Sequence, residues 1–329
     1  MSFRVLRLSL WAISIVLYRG ACSAESHGVV SKECLKLNSL LEERISTGKL
    51  DEAQQFTSAA VASNTAPLEP GCAGLLLNDV ATAMQVSGRL EEAVTLAERA
   101  VNYFEKSLAP DDPAYLAPLH VIASYQLMHG MTSRAREVLQ RKQQTRVASP
   151  RDRALLHEIS GAVLEQEGKW SDAETQYIVA VSEWSKAGKE NSADAASLHG
   201  QLAIVYYQQK RYTDSERAVE RALATLDMAP DAVPLDRIKL LNVRAAVRAK
   251  EDRWRDAATD LDHATSLARE SKMDGIELEP VVTNYAFVLH KLHRKEARSI
   301  DAWAAALHDR NARFGYTVDL GDLGAAVRR

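Results

Sequence analysis

Small residues recur along this chain in register with apolar ones. Ala81 and Ala93, Ala123 and Ala135, Gly161 and Ala173, Ala203 and Ser215, and Ala245 and Ala257 each stand twelve positions apart. Degraded copies of the pair occur at both ends. The second member of each pair runs Ala53, Ala93, Ala135, Ala173, Ser215, Ala257 and Ala297, at intervals of 40, 42, 38, 42, 42 and 40 residues. A third column reads Ala60, Ala100, Lys142, Ala180, Ala222, Ala264 and Ala304, broken in mid-array only by Lys142. Between the first two columns stand Gly48, Gly88, Gly130 and Gly168, then Lys210, Asp252 and His293, where a helix must stop and the chain reverse.

Larger residues fill the spaces between the small ones. Two positions after each turn come Leu50, Leu90, Thr132, Trp170, Tyr212 and Trp254. Eleven before it come Leu37, Leu77, Leu119, His157, His199, Leu241 and Val282. Apolar positions thus recur at helical spacing within each half-repeat, predicting two helices per unit. Two helices joined by a tight turn approach closely where side chains are small, and the unit's remaining apolar stripe is covered by the next unit. The pattern predicts an all-α chain, a solenoid of about seven helix-turn-helix repeats. Length alone suggests two domains, but an unbroken period argues for a single stack.

Small residues flanking a Gly turn, with aromatic and aliphatic neighbours, resemble tetratricopeptide repeats. The stretch from Ala203 through Tyr206, Tyr212 and Glu216 to Ala222 matches that pattern, and Ala109-Pro-Asp-Asp-Pro113 resembles an inter-repeat linker. The period exceeds the usual ~34 residues and is similar to the longer repeats of kinesin light chains and their bacterial relatives. The resemblance runs from about residue 31 to 313 and implies that the solenoid is a right-handed superhelix. The long heptad coiled coil of kinesin light chains has no counterpart here, so a motor-cargo role is not carried over.

Residues 1–24 stand outside the array. Arg4 and Arg7 precede an apolar run from Leu8 to Leu17, and Ala21-Cys22-Ser23-Ala24 supplies small residues where a signal peptidase cuts. The expectation is a signal peptide over 1–24, a repeat array over 25–313, a tail over 314–329 and a mature chain that is periplasmic or secreted. Alternatives are an uncleaved anchor helix and lipidation at Cys22. The apolar run is short for a membrane span, and none is expected in the mature chain. In the tail, Phe314 and Tyr316 either cap the last repeat or fray.

Removing residues 1–24 takes away three Arg and no acid. The 41 basic residues become 38 against 44 acidic, a net of −6 with His neutral. Nucleic acid is not an expected partner of such a surface. Locally, the first helix of the sixth repeat carries Arg237, Lys239, Arg244, Arg248 and Lys250 with no acid between them. That segment is either a solvated basic face or a stretch of groove that attracts an acidic peptide.

Cys34 and Cys72 lie near the start of adjacent first helices. If neighbouring first helices pack side by side, an exported chain can bridge them. The alternative is a pair of ordinary buried small hydrophobes.

The sequence contains no Gly-rich phosphate loop, zinc-spaced Cys pair, His-Glu-x-x-His or nucleophile elbow. No cofactor and no enzymatic activity are expected. His290, His293 and Glu296 are the one cheap metal candidate, though His293 falls on a turn. His157 and His199 share a column occupied elsewhere by Leu, and packing is their simplest explanation.

Function is therefore sought in surface. The resemblance implies that first helices line a concave groove in which an extended client peptide lies. Ten positions before the turn stand Asn38, Asn78, His120, Glu158, Gly200, Asn242 and Thr283. The resemblance makes Asn38, Asn78 and Asn242 backbone clamps, since a carboxamide donates to a peptide carbonyl and accepts from a peptide N–H. Leu127, Met128 and Tyr207 are expected as an adaptable apolar centre, and Lys239, Lys250 and Lys291 as a basic part seating an acidic client end in repeats six and seven. The competing role is a structural or assembly protein of the cell envelope that self-associates through a poorly capped end.

Overall fold

The structure is a computed structural model and describes residues 31–63, 67–87, 89–143, 149–230, 232–273 and 277–313. The signal segment with Cys22, the tail with Phe314 and Tyr316, Gly88 and the Lys142 side chain lie outside the described residues.

Among the described residues there is no strand, and fourteen α-helices follow one another in seven pairs. The pairs are α1 (Lys32–Ser46) with α2 (Leu50–Val61), α3 (Pro70–Val86) with α4 (Leu90–Phe104), and α5 (Leu116–Met128) with α6 (Thr132–Gln143). Then come α7 (Pro150–Gln166) with α8 (Trp170–Lys186) and α9 (Ala193–Gln208) with α10 (Tyr212–Met228). The last are α11 (Pro234–Lys250) with α12 (Trp254–Glu270) and α13 (Leu278–Lys291) with α14 (Ala297–Arg313). Six of the seven second helices begin on the large or β-branched residue two positions past the turn, so the repeat read from the sequence is the repeat of the backbone.

Each pair turns by one mechanism. The N–H three residues past the end of the first helix reaches back five residues, as in Lys49 to the Arg44 carbonyl at 2.9 Å, Arg89 to Met84 at 2.9 Å and Met131 to Gln126 at 2.8 Å. Lys169 to Leu164, Arg211 to Tyr206, Arg253 to Arg248 and Arg294 to Leu289 repeat the bond at 2.9 to 3.0 Å. This closure needs a left-handed residue before the donor. Gly48, Gly130 and Gly168 occupy it at φ of 69 to 73°, but so do Lys210 at 63°, Asp252 at 58° and His293 at 54°. Three turns therefore hold an L-residue where glycine is at ease.

The second small column is buried throughout, from Ala53 to Ala297. Its lone hydroxyl, that of Ser215, donates to the Ala203 carbonyl at 2.6 Å, so one small column satisfies the polar atom of the other. The third column is buried at Ala100, Ala180, Ala222 and Ala264 but half-buried at Ala60 and Ala304.

Contacts group the chain into two units, the division falling within α9 between Leu198 and His199. In the first unit α3 packs on α4 and α7 on α8, while the first helices α1, α3, α5 and α7 lie side by side in succession. Its N-terminal core gathers Leu41, Leu76, Leu77, Met84, Leu96 and Phe104. In the second unit α11 packs on α12 and α13 on α14, with α10 against α11, α12 against α13 and first helix α11 against first helix α13.

Candidate functional site

In the first unit the structure joins Cys34 and Cys72 in a disulfide, with Cα atoms 5.8 Å apart. It fastens α1 to α3, the pair of first helices whose lateral packing brings the thiols together. Ser31 caps α1 by accepting from the Cys34 N–H at 3.3 Å, which also orients the cysteine's turn.

Two of the carboxamides predicted as clamps lie on these same helices. The half-buried Asn38 donates from Nδ2 to Glu42 Oε1 at 3.1 Å, and the buried Asn78 donates from Nδ2 to Asp79 Oδ1 at 3.4 Å. Both Oδ1 atoms are buried and lack a hydrogen-bond partner among the described residues. Beside them, burial and the charge of Glu42 push the Asp79 carboxyl up to about 7. Nothing in the sequence pattern singled out Asp79, because a carboxylate one position past a repeat column reads as a solvated charge.

Leu127 does not contribute surface. It is 1% exposed and part of the core, because a position three before the turn of α5 faces the neighbouring helices. The half-buried Met128 is the apolar residue left to that face. Tyr207 of the second unit is likewise buried, packed on Ala246, Val247 and Tyr212 with the Tyr212 ring centroid 5.7 Å away. Its hydroxyl oxygen has no hydrogen-bond partner among the described residues.

Asn242 is buried on α11, and its Oδ1 accepts from Asn284 Nδ2 at 2.9 Å. The partner is the residue 42 positions on, not Thr283, which counting back from the shortened last turn selected. Counting forward by one full period would have found it.

The run of unopposed positive charge on α11 is not a free basic face. Arg244 Nη2 reaches Asp260 Oδ1 at 2.7 Å, Arg248 bridges Glu216 at 2.9 Å and Asp260 at 2.8 Å, and Arg237 pairs with Asp227. Arg253 continues the ladder to Glu216 at 2.7 Å. The acids come from α10 and α12, so no inspection of α11 alone reveals them. Of the predicted lysines, Lys239 is half-buried and burial pushes its ammonium down to about 8, against the charges of Glu277 and Asp236. Lys250 is half-buried, and Lys291 is exposed with Nζ 5.8 Å from the Trp254 ring and 5.6 Å from that of Phe287.

The histidines find structural partners. His157 Nδ1 lies 2.8 Å from Gln176 Oε1, and burial beside Arg221 pushes the His199 imidazole down to about 4. His290 Nε2 lies 2.8 Å from Asp301 Oδ2, whereas His293 forms the left-handed turn. Among the described residues no group of three or more His, Cys, Asp or Glu is placed to hold a metal, and no helix is long and apolar enough to cross a membrane.

A tetratricopeptide repeat family model matches residues 72–141 and 152–227. A search of curated proteins finds no match. Among solved structures, the apo form of RapI is similar over 85% of this chain and 99% of its own, at 12% identity and a TM-score of 0.61. The Cut9 and Hcn1 hetero-tetramer of APC/C is similar over 81% of this chain and 45% of that one, at 12% identity and a TM-score of 0.59. A tetratricopeptide repeat protein from Parabacteroides merdae is similar over 88% and 96%, at 18% identity and a TM-score of 0.51. At such identities the likeness concerns the fold alone. The family match marks tetratricopeptide repeats over residues 72–141 and 152–227, and the helix pairs on either side of them close by the same turn at intervals near 42 residues, a fold suited to protein–protein interaction.

Proposed function

We propose that this chain is a non-catalytic adaptor that holds an extended segment of a client protein along its first helices, outside the cytoplasm. The observation that carries the reading is the pair Asn38 and Asn78. Forty residues apart on helices packed side by side, each keeps a buried carboxamide oxygen without a hydrogen-bond partner among the described residues. A buried acceptor left so costs about 1–3 kcal/mol, and peptide N–H groups arriving at the two positions would recover it. The Cys34–Cys72 bridge and the apolar run at residues 8–17 support an exported setting.

The acidic end of the client is read from Lys291, which is exposed at the end of α13. Photo-crosslinking in cells from probes at Met128 and Lys291, followed by identification of the captured chain, tests the reading. Asn78→Ala should then weaken the captured client about tenfold, a loss of about 1.4 kcal/mol, with thermal stability held or raised. Undiminished affinity in that variant rejects the clamp.

A second reading is favoured by Leu35 and Leu40, which leave α1 with 48% and 37% exposure on the outermost described helix. Self-association through that helix predicts a concentration-dependent mass without client, abolished by Leu35→Lys.

A further inference from the structure

In the first unit the second helices α4 and α6, with the first helix α5 between them, form a cleft that the carboxamide reading of α1 and α3 does not use. It has a volume of about 410 Å³. Its floor is apolar: Val101 from α4, Leu119 and Ile122 from α5, and Val138 from α6. Its rim is acidic and exposed, with Glu98 on α4, Glu105 just past the end of α4 and Glu137 on α6. The one cation in the lining, Arg141, is committed to the wall. Its Nη2 donates to Glu105 Oε1 at 2.8 Å, and its guanidinium carbon lies 5.2 Å from the Tyr115 ring centroid.

We propose that this cleft is a second docking site, taking a basic, part-apolar segment of a partner polypeptide in which Arg or Lys stands beside Leu or Met. The charge balance selects the sign of the partner, since Glu98 and Glu137 carry no hydrogen bond or ion pair to another described residue once Arg141 is assigned to Glu105. The shape selects the side chains. An arginine or lysine lays its aliphatic stem along apolar surface and keeps its charged head at the water boundary, and a floor of Val, Leu and Ile under a carboxylate rim is the complement of that. A volume in the range of small-ligand clefts has room for such a side chain and an apolar neighbour. An acidic segment, by contrast, meets carboxylates on both edges. The site is separate from the carboxamides of α1 and α3, so the two surfaces can be engaged by different parts of one client or by two clients.

The test uses the full oxidised chain and a fluorescein-labelled synthetic peptide, Gly-Ser-Leu-Arg-Ser-Leu-Lys-Ser-Gly, with a twin in which Arg and Lys are replaced by Glu. Anisotropy titrations should show saturable binding of the basic peptide, weaker at higher salt, and none of the acidic twin. The double variant Glu98→Lys/Glu137→Lys should weaken binding at least about tenfold. Glu190→Lys/Glu270→Lys, on exposed positions elsewhere and with the same change of net charge, should not. Asn102→Trp, which fills the mouth of the cleft from α4, should abolish binding at every salt concentration. Equal losses in the two double variants would reduce the attraction to overall charge and overturn the proposal. So would binding that survives Asn102→Trp, or no binding at all. None of these substitutions touches Asn38 or Asn78, so failure here leaves the first-helix reading standing, and failure of Asn78→Ala leaves this one.

Discussion

Tyr177 Oη donates to Glu165 Oε2 at 2.8 Å, closing a fully buried polar contact between the two helices of the fourth pair. The tyrosine ring reaches that acid only because Gly161 lies under it. A Cβ at residue 161 would stand 2.6 Å from Tyr177 Cε1 and 2.8 Å from Cδ1. Burial pushes the Glu165 carboxyl up to about 7, tempered by the tyrosine's hydrogen bond. Gly161→Ala should therefore destabilise the first unit by about 1–3 kcal/mol despite the better helix propensity of alanine. Thermal unfolding by circular dichroism checks this, and Ala162→Gly in the same helix turn gauges the propensity contribution.

The Cys34–Cys72 bridge closes a loop of 38 residues' separation at the end of the array. Chain-entropy reasoning assigns such a loop about 4 kcal/mol. Repeat arrays open from their ends, so the loss on reduction should be local. Amides of α1 and α2 are expected to lose hydrogen-exchange protection under reductant while those of α7 and α8 keep theirs.

Left-handed L-residues at turns are a removable strain. Lys210→Gly and His293→Gly relieve a conformation that costs roughly 1–2 kcal/mol, offset in part by the roughly 0.5–1 kcal/mol that glycine loses in backbone entropy. Each should raise the melting temperature slightly, and the two together should add. Lys210→Ala, which keeps the Cβ, should not.

Asp79 makes stability depend on pH. Its folded carboxyl titrates near 7 against an ordinary 3.8, so the folded state holds the proton more tightly than the unfolded one. The group's contribution is intact below about pH 4 and is lost as pH rises through 7. Asp79→Asn should accordingly match the parent protein at pH 4 and exceed it at pH 8 by at most about 4 kcal/mol. Denaturant titrations at the two pH values read the difference.

Asp260 holds two guanidinium groups, those of Arg244 and Arg248, in a half-buried setting. Asp260→Ala removes the counter-charge of Arg244 and leaves Arg248 with Glu216 alone, and should cost about 3 kcal/mol. The double change with Arg244→Leu should recover part of that loss. A loss no smaller in the double variant would mean that packing, not charge, sets the effect.

The sequence alone determined the repeat. Helix pairs, turn positions and the buried small columns are local consequences of where Gly, Ala and large apolar residues fall, since turn closure and close helix approach depend on residue size and backbone freedom within a dozen positions. It also reached Cys34 and Cys72 as a pairing to consider, because equal register on successive units implies neighbourhood. The functional face was less legible. Leu127 and Tyr207 read as surface but are buried, and the arginines of α11 read as a basic stripe but meet Asp260 and Glu216 from adjacent helices. Only the tertiary structure decided these matters, for a physical reason: charge and exposure belong to side chains brought together across 12 to 42 residues, and a period records which helices adjoin without recording which way each long side chain reaches.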